Sequence, residues 1–125
     1  MRILVDSFAW LEIFQGGKRG EKALKHLETN TGELYTTTEN FYEVYYRSAQ
    51  IYGREKLEQN LATIKNYVTL LPITETTARE AGEIRLEHGL SAVDAFTLAG
   101  ARMVGAKVLT GDEDFKKFGD EIIFV

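Results

Sequence analysis

Four carboxylate residues stand where this sequence changes from one predicted element to the next. Asp6 directly follows a short apolar run near the start of the chain, and Asp112 follows another close to its end. Glu43 and Asp94 each lie in the first turns of a segment with helical spacing. Carboxylates gathered at one place repel each other unless they take up protons or bind a cation. A donor set made only of oxygen suits Mg²⁺ or Mn²⁺ rather than zinc, so these residues predict a site for one of those ions.

A magnesium site of this kind predicts a particular reaction. The ion usually keeps several waters and completes its coordination shell with substrate phosphate. It then polarises a phosphoryl oxygen and activates a water, which is the chemistry of phosphodiester hydrolysis. The chain has no cysteine, and its two histidines, His26 and His88, are far apart. Thiolate catalysis, disulfides and cysteine-bound zinc are therefore excluded, a histidine metal site is disfavoured, and a reducing cytoplasmic setting is expected.

Each of the four acids also has an ordinary structural explanation. Asp6 could cap the helix that follows it, and Asp112 could cap a short helical turn. Glu43 and Arg47 have the spacing of an ion pair on a helix surface. Asp94 stands at the third position of a helix that a serine precedes, which is the acidic form of a capping box. Taken singly these roles are the commoner ones, and only the convergence of the four acids favours a metal site.

Strands and helices alternate along the chain, which is typical of an α/β fold with a mainly parallel sheet. Strands are expected at residues 2–5, 33–37, 68–73, 106–110 and 121–125. Helices are expected at residues 7–14, 20–30, 37–53, from 54 onward, 74–89 and 91–105, with a helical turn at 112–119. Pro72 suggests that the third strand lies at an edge or ends there. We expect a three-layer α/β/α sandwich with four or five strands, formed by residues 1–125 as one domain.

This order of elements predicts that the four acids meet. Ligands of an open parallel sheet bind outside the carboxyl ends of its strands. Asp6 and Asp112 follow the carboxyl ends of the first and fourth strands, and Glu43 lies early in the helix that leaves the second. The helix of Asp94 runs back to the amino end of the fourth strand, so that its own first turn lies at the carboxyl edge. Glu39 starts at the same edge.

Four stretches, "LVDSFAWLEIF", "ENFYEVYYR", "GLSAVDAFTLAGA" and "VLTGDEDF", resemble the PIN domain in their order and spacing, and in particular the VapC toxins of toxin–antitoxin pairs. The resemblance covers the whole chain. It implies a Mg²⁺- or Mn²⁺-dependent endoribonuclease with an RNA substrate and an antitoxin partner. The residues that match the family's site are Asp6, Glu43, Asp94 and Asp112 as acids and metal ligands, with Thr110 and Ser7 as hydroxyl residues. Asp114 and Glu39 are weaker candidates.

The surface residues are less informative. The formal net charge of −4 argues against a protein with positive potential all over its surface, although a local basic patch could still bind RNA. The candidates for such a patch are Lys18, Arg19, Arg47, Arg54 and Lys56. The stretch "NFYEVYYRSAQIY" is rich in aromatic residues, of which Phe41, Val44 and Tyr45 could pack on the sheet. Tyr42, Tyr46 and Tyr52 cannot all share that face, so an exposed patch that binds a partner is expected. The resemblance implies that this patch is an antitoxin groove or a homodimer surface.

Other functions remain open at this point. A catalytically inactive PIN-like module that only binds RNA or protein would share the fold, but such a protein would have no need of four acids. A phosphoacceptor signalling domain needs an acidic pair after the first strand, an aspartate after the third and a lysine after the last, and these are missing. A flap nuclease shares the carboxylate chemistry, but this chain is too short for the clamps that such enzymes add.

Overall fold

The computed structural model describes residues 1–125 and contains a five-stranded sheet in which every pairing is parallel. The strands are β1 Ile3–Val5, β2 Leu34–Thr37, β3 Thr69–Leu71, β4 Lys107–Thr110 and β5 Ile122–Phe124. The helices are α1 Ser7–Gln15, α2 Lys18–Thr29, α3 Thr38–Tyr67, α4 Glu75–His88 and α5 Ala92–Val104, with a 3₁₀ segment at Glu113–Glu121. The predicted order of elements and the α/β class are confirmed.

Along the central strands, successive side chains point to opposite faces of the sheet. Both faces are therefore apolar, and helices cover both. In β1, Ile3 and Val5 pack into a core cluster with α1, α2 and α3, whereas Leu4 packs into a second cluster with α4 and α5. Trp10 is fully buried in the first cluster and Phe115 in the second. The predicted three-layer sandwich is therefore formed by two apolar layers, one on each side of a sheet that is buried on both faces.

The strand order, β3-β2-β1-β4-β5, decides where a ligand can bind. From β1 the chain proceeds outward to β2 and β3 on one side, and then crosses to β4 and β5 on the other. The loops that leave β1 and β4 therefore diverge, and a crevice opens between their carboxyl ends. Asp6 and Asp112 lie in these two loops. Pro72 follows the last residue of β3, which is an edge strand as its proline predicted.

Two glycines allow the helices to take up this arrangement. Gly53 interrupts α3 with a φ of 82° and a ψ of 171°, so the predicted change of helix at this position is confirmed. Gly20 in α2 lies against the backbone of α1, where a Cβ atom would stand 2.2 Å from the carbonyl oxygen of Glu12. Only glycine lets α1 and α2 approach this closely. None of the helices combines the length and the apolar character that crossing a membrane would require.

Candidate metal centre

A cavity of about 530 Å³ opens at the carboxyl edge of the sheet. Its lining includes all four acids predicted from the sequence, together with two more, and these are Asp6, Glu12, Glu43, Asp94, Asp112 and Asp114. Carboxylate oxygens of Asp94, Asp112 and Asp114 lie within 4.8 Å of one another. Asp6 and Glu43 are outside that tight group but line the same cavity. The convergence expected from the strand-end rule is therefore present in the structure.

Asp6 lies at the floor of the cavity and is only 1% exposed. It occupies the N-cap position of α1, yet its side chain makes no capping hydrogen bond. Its carboxylate instead accepts a hydrogen bond on each oxygen. Thr110 Oγ1 donates to Oδ2 at 2.8 Å, and Asn40 Nδ2 donates to Oδ1 at 3.2 Å. The carboxylate of Asp6 is therefore held by β4 and α3 rather than used to start its own helix.

The electrostatics of the cavity disfavour so many negative charges. The pKa of Asp6 is raised to about 7, chiefly by burial and also by the nearby carboxylates of Asp94 and Glu43, although the hydrogen bond from Thr110 lowers it. Burial also raises the pKa of Asp94 to about 6, with additional repulsion from Asp112. Acids with raised pKa values that face one cavity are the sign of a site that a cation would stabilise.

Glu43 combines the structural role predicted for it with a place in the cavity. Its Oε2 lies 3.6 Å from Arg47 Nε, which is the ion pair expected from their spacing. Its Oε1 accepts a short hydrogen bond from the Ser7 hydroxyl. Ser7 follows Asp6 in the chain, so its hydroxyl connects the carboxylate of Glu43 in α3 to the segment that carries Asp6. The side chain of Glu43 is held from both sides at the wall of the cavity.

The remaining acids belong to two capped helix starts. Ser91 Oγ accepts the hydrogen bond of the Asp94 backbone N–H at 3.2 Å, so the serine is the cap and the Asp94 carboxylate faces the cavity. Asp112 does cap its turn, because its Oδ1 accepts from the Asp114 backbone N–H at 2.9 Å. This same turn brings the Asp114 carboxylate beside the other two. Asp114 thus has a better position than the sequence suggested.

Three polar residues of the site were not predicted, namely Glu12 and Gln15 on the cavity lining and Asn40 beside Asp6. Asn40 is completely buried and contacts both Asp6 and Thr97 of α5 through its Nδ2. Its backbone N–H and side chain form a capping box with Thr37 at the start of α3. The spacing of Thr37 and Asn40 could have indicated the cap. Nothing in the spacing could have indicated that the amide also reaches Asp6.

Aromatic and apolar side chains shape the mouth of the cavity. Phe8, Leu11 and Ile51 lie along its wall. Gly111, between two site residues, passes directly under Phe8, where a Cβ atom would stand 2.6 Å from the ring. The ring of Phe8 is also covered by the guanidinium of Arg19, 5.4 Å from its centroid. The wall on this side is therefore closely packed.

Only some of the predicted basic residues lie near the cavity. Arg47 lines it, and Arg19 reaches its edge through Phe8. Lys18, Arg54 and Lys56 are exposed and do not line it. Glu39 does not line it either but borders a smaller cavity beside Leu71 and Met103.

A larger and more open depression, of about 800 Å³, lies between α4 and α5. Three of its four charged side chains, all except Glu83, form ion pairs. Arg102 binds Glu121 at 2.8 Å and Glu80 at 3.0 Å, and Arg79 binds Glu75 at 3.0 Å. No group of acids meets there as in the first cavity, so the chemistry favours the smaller acidic cavity as the site.

The aromatic stretch of α3 divides between core and surface. Val44 is buried and Phe41 packs against the core, as predicted. The expectation for Tyr45 is wrong, because 40% of that residue is exposed. Val44 already faces the core, and a helix turns each successive residue by about 100°, so that Tyr45 is carried away from the sheet. The exposed apolar residues of this helix, here called the α3 face, are Tyr42, Tyr45, Tyr46 and Ile51.

The donor set of the cavity fits a hard divalent cation. Six carboxylates line it without any histidine or cysteine, and oxygen ligands of this type suit Mg²⁺ and Mn²⁺. The tight group of Asp94, Asp112 and Asp114 offers three oxygens within 4.8 Å of one another, which is a spacing that one ion could span. Carboxylates whose pKa values are raised by burial and repulsion would return to their charged form beside such an ion.

Comparison with known proteins gives a consistent result. The PIN domain family model matches residues 3–121, in agreement with the resemblance found in the sequence. VapC20 of Mycobacterium tuberculosis, described as a sarcin–ricin loop cleaving toxin, has 21% identity, 98% coverage of each chain and a TM-score of 0.82. A toxin–antitoxin complex from Klebsiella pneumoniae has 20% identity, covers 97% of this chain and 95% of that one, and has a TM-score of 0.78. A comparison with curated protein sequences gives no match.

Proposed function

This chain belongs to the PIN domain family, and from that premise we propose that it is a Mg²⁺- or Mn²⁺-dependent endoribonuclease. We further propose that it is the toxin of a toxin–antitoxin pair and acts in the cytoplasm. One observation carries the nuclease proposal. Acids from four separate parts of the chain line a single cavity at the switch point of a parallel sheet, and three of them have oxygens within 4.8 Å of one another. Fold alone would not support an activity, since one fold hosts many functions.

The acids divide into two groups by their surroundings. Asp94, Asp112 and Asp114 are partly exposed and close together, which suits ligands that must bind an ion from solution. Asp6 and Glu43 are held by hydrogen bonds at the floor and wall, which suits residues that fix one side of the ion or orient a water. When bound, the ion supplies positive charge to the phosphate and activates water for attack.

Thr110 has a supporting role in this proposal. Its hydroxyl donates to Asp6 at 2.8 Å and accepts from the Asp112 backbone N–H at 3.0 Å. A single hydroxyl thereby connects the acids that follow β1 and β4. Its burial means that it orients these two segments and does not itself contact RNA.

The test is cleavage of RNA by the purified protein with and without Mn²⁺. We expect cleavage that depends on the ion, and we expect Asp94→Asn to lose roughly 1,000-fold in rate, since a metal ion supplies several kcal/mol of transition-state stabilisation. Asp120→Asn is the matched control, because Asp120 is exposed and lies outside the cavity. RNA binding without cleavage under these conditions would instead favour the catalytically inactive module.

The α3 face supports the proposal of a protein partner. Tyr42 is 63% exposed, Ile51 is 62% exposed, and the rings of Tyr42 and Tyr46 lie 5.4 Å apart, so exposed apolar side chains cluster on this helix as they do at partner sites. Ile51 also lines the acidic cavity together with Glu43 and Arg47, so a partner that covers Ile51 would lie beside the site. We propose that an antitoxin binds here and that the chain also forms a homodimer.

Light scattering is the measurement for this second proposal. We expect a mass near twice 14.1 kDa for the purified chain, and a larger complex after co-expression with the product of the neighbouring gene. Tyr42→Ala with Ile51→Ala is expected to weaken the larger complex, whereas Leu86→Ala, an exposed apolar residue on α4, serves as control. A monomer that forms no complex would contradict the proposal.

A further inference from the structure

Asn40 occupies a position that links three elements of the acidic site. Its Nδ2 donates to Asp6 Oδ1 at 3.2 Å, at the end of β1, and to Thr97 Oγ1 at 2.9 Å, in α5. Its Oδ1 accepts from Thr37 Oγ1 at 2.8 Å, at the end of β2. All of these side chains are buried. Asn40 belongs to α3, the helix that carries Glu43, and its amide therefore connects Asp6 with α5, the helix that carries Asp94.

The hydrogen-bond partners allow only one orientation of this amide. The Thr97 hydroxyl donates to the Val93 carbonyl at 2.8 Å, so that it can only accept from Asn40. The Thr37 hydroxyl already donates to Asn40 Oδ1 and accepts the Asn40 backbone N–H at 3.0 Å. Turning the amide over would place its oxygen against the carboxylate of Asp6. Both amide protons are therefore committed, one of them to Asp6.

The hydrogen bond from Asn40 restricts the orientation of the Asp6 carboxylate, which its own side-chain torsion does not fix. The terminal torsion of an aspartate is broad and is not held by a staggered minimum. Thr110 donates to one carboxylate oxygen and Asn40 to the other, so the two donors fix the plane of the group from opposite ends. The Ser7 hydroxyl lies 3.4 Å from Oδ1, but its one proton goes to Glu43. Each oxygen of Asp6 therefore keeps a lone pair for a further ligand, because an ionised carboxylate offers about four acceptor sites.

We propose that Asn40 is a positioning residue that sets the carboxylate plane of Asp6 for binding of a divalent cation. This inference rests on the proposed function, since it assigns the cation to the cavity. It adds a residue that does not touch the ion or the RNA and acts through Asp6. Partners of this kind beyond the ligands typically change metal affinity by about 10- to 100-fold when they are removed.

The test is calorimetric titration of the purified protein with Mn²⁺ alone, with no RNA present. Asn40→Leu keeps a similar volume and removes both donors, and we expect its Mn²⁺ affinity to fall by about 10- to 100-fold. Asn60→Leu is the matched control, because Asn60 is a second buried asparagine of α3 that lies outside the cavity. In RNA cleavage, the Mn²⁺ concentration for half-maximal rate should rise for Asn40→Leu, while the KM for RNA stays unchanged.

The outcomes separate this inference from the proposed function. A wild-type protein that neither binds Mn²⁺ nor cleaves RNA would overturn both. A wild-type protein that does both, beside a folded Asn40→Leu variant with unchanged Mn²⁺ affinity, would overturn only the role of Asn40. If circular dichroism shows that Asn40→Leu is unfolded, the titration is repeated with Thr97→Val. This variant removes only the hydrogen bond between the Asn40 amide and the Thr97 hydroxyl. A smaller loss of Mn²⁺ affinity in that variant supports the inference, and no loss overturns it.

Discussion

Replacing Asp6 with asparagine is expected to abolish RNA cleavage and, at the same time, to raise the free energy of unfolding of the metal-free protein at pH 8. Asp6 is almost fully buried, and burial together with Asp94 and Glu43 raises its pKa to about 7. At pH 8 the folded protein must therefore hold a charge that its surroundings disfavour. Asparagine has nearly the same shape and no charge, so this cost disappears in the variant.

The expected gain in the free energy of unfolding has an upper limit. The difference between a folded pKa of about 7 and an unfolded value of about 3.9 corresponds to on the order of 4 kcal/mol. The measured gain should be smaller, because the asparagine has only one acceptor oxygen for the two donors, Thr110 and Asn40. At pH 5 the wild-type carboxyl already holds a proton, so the difference between variant and wild type should shrink.

Urea denaturation in the presence of a chelator measures the free energy of unfolding of variant and wild type at pH 8 and at pH 5. Asp120→Asn is again the control, because its exposed side chain should leave the free energy of unfolding nearly unchanged at either pH. A variant that is less stable than the wild type at pH 8 would contradict the electrostatic account of Asp6. RNA cleavage that survives in the same variant would remove Asp6 from the site, whatever its stability.

The position of the acids could be predicted because it depends on topology. Asp6 and Asp112 follow strands, and the carboxyl ends of parallel strands must lie at one edge. Asp94 comes to the same edge because its helix must return to the start of β4. These arguments need only the order of elements, which the alternation of apolar runs and glycine-terminated helices makes visible in the sequence.

The side-chain details could not be predicted because they depend on contacts between elements. Asn40 reads as a capping residue, and only the packing of α3 against β1 and α5 brings its amide to Asp6. Asp114 is a weaker candidate in the sequence, and its position beside the other acids follows from the turn that Asp112 caps. Tyr45 is expected in the core because helical periodicity allows several faces, whereas in the structure Val44 is buried, Phe41 packs against the core and Tyr45 is exposed.

Stability of the metal-free protein is expected to fall as pH rises from about 5 to about 8, and Mn²⁺ is expected to reverse this fall. Asp6 and Asp94 have folded pKa values of about 7 and about 6, above their unfolded values. Between those limits the folded state binds more protons than the unfolded state, so their contribution is complete below about pH 4 and is lost as pH rises through 6 and 7. Above pH 7 the carboxylates are charged, and this is the form that binds a divalent cation.

Mn²⁺ should therefore stabilise the protein strongly at pH 8 and weakly at pH 5. At 100 times the dissociation constant, binding adds about 2.7 kcal/mol, which corresponds to roughly 10 °C in Tm for a chain of this length. Thermal unfolding with and without Mn²⁺ at the two pH values measures this. Asp6→Asn should lose most of the Mn²⁺ effect, whereas Asp120→Asn should keep it, because only the first change removes a cavity carboxylate. Equal stabilisation at both pH values would mean that Mn²⁺ binds elsewhere, since only carboxylates with raised pKa values lose their charge at pH 5.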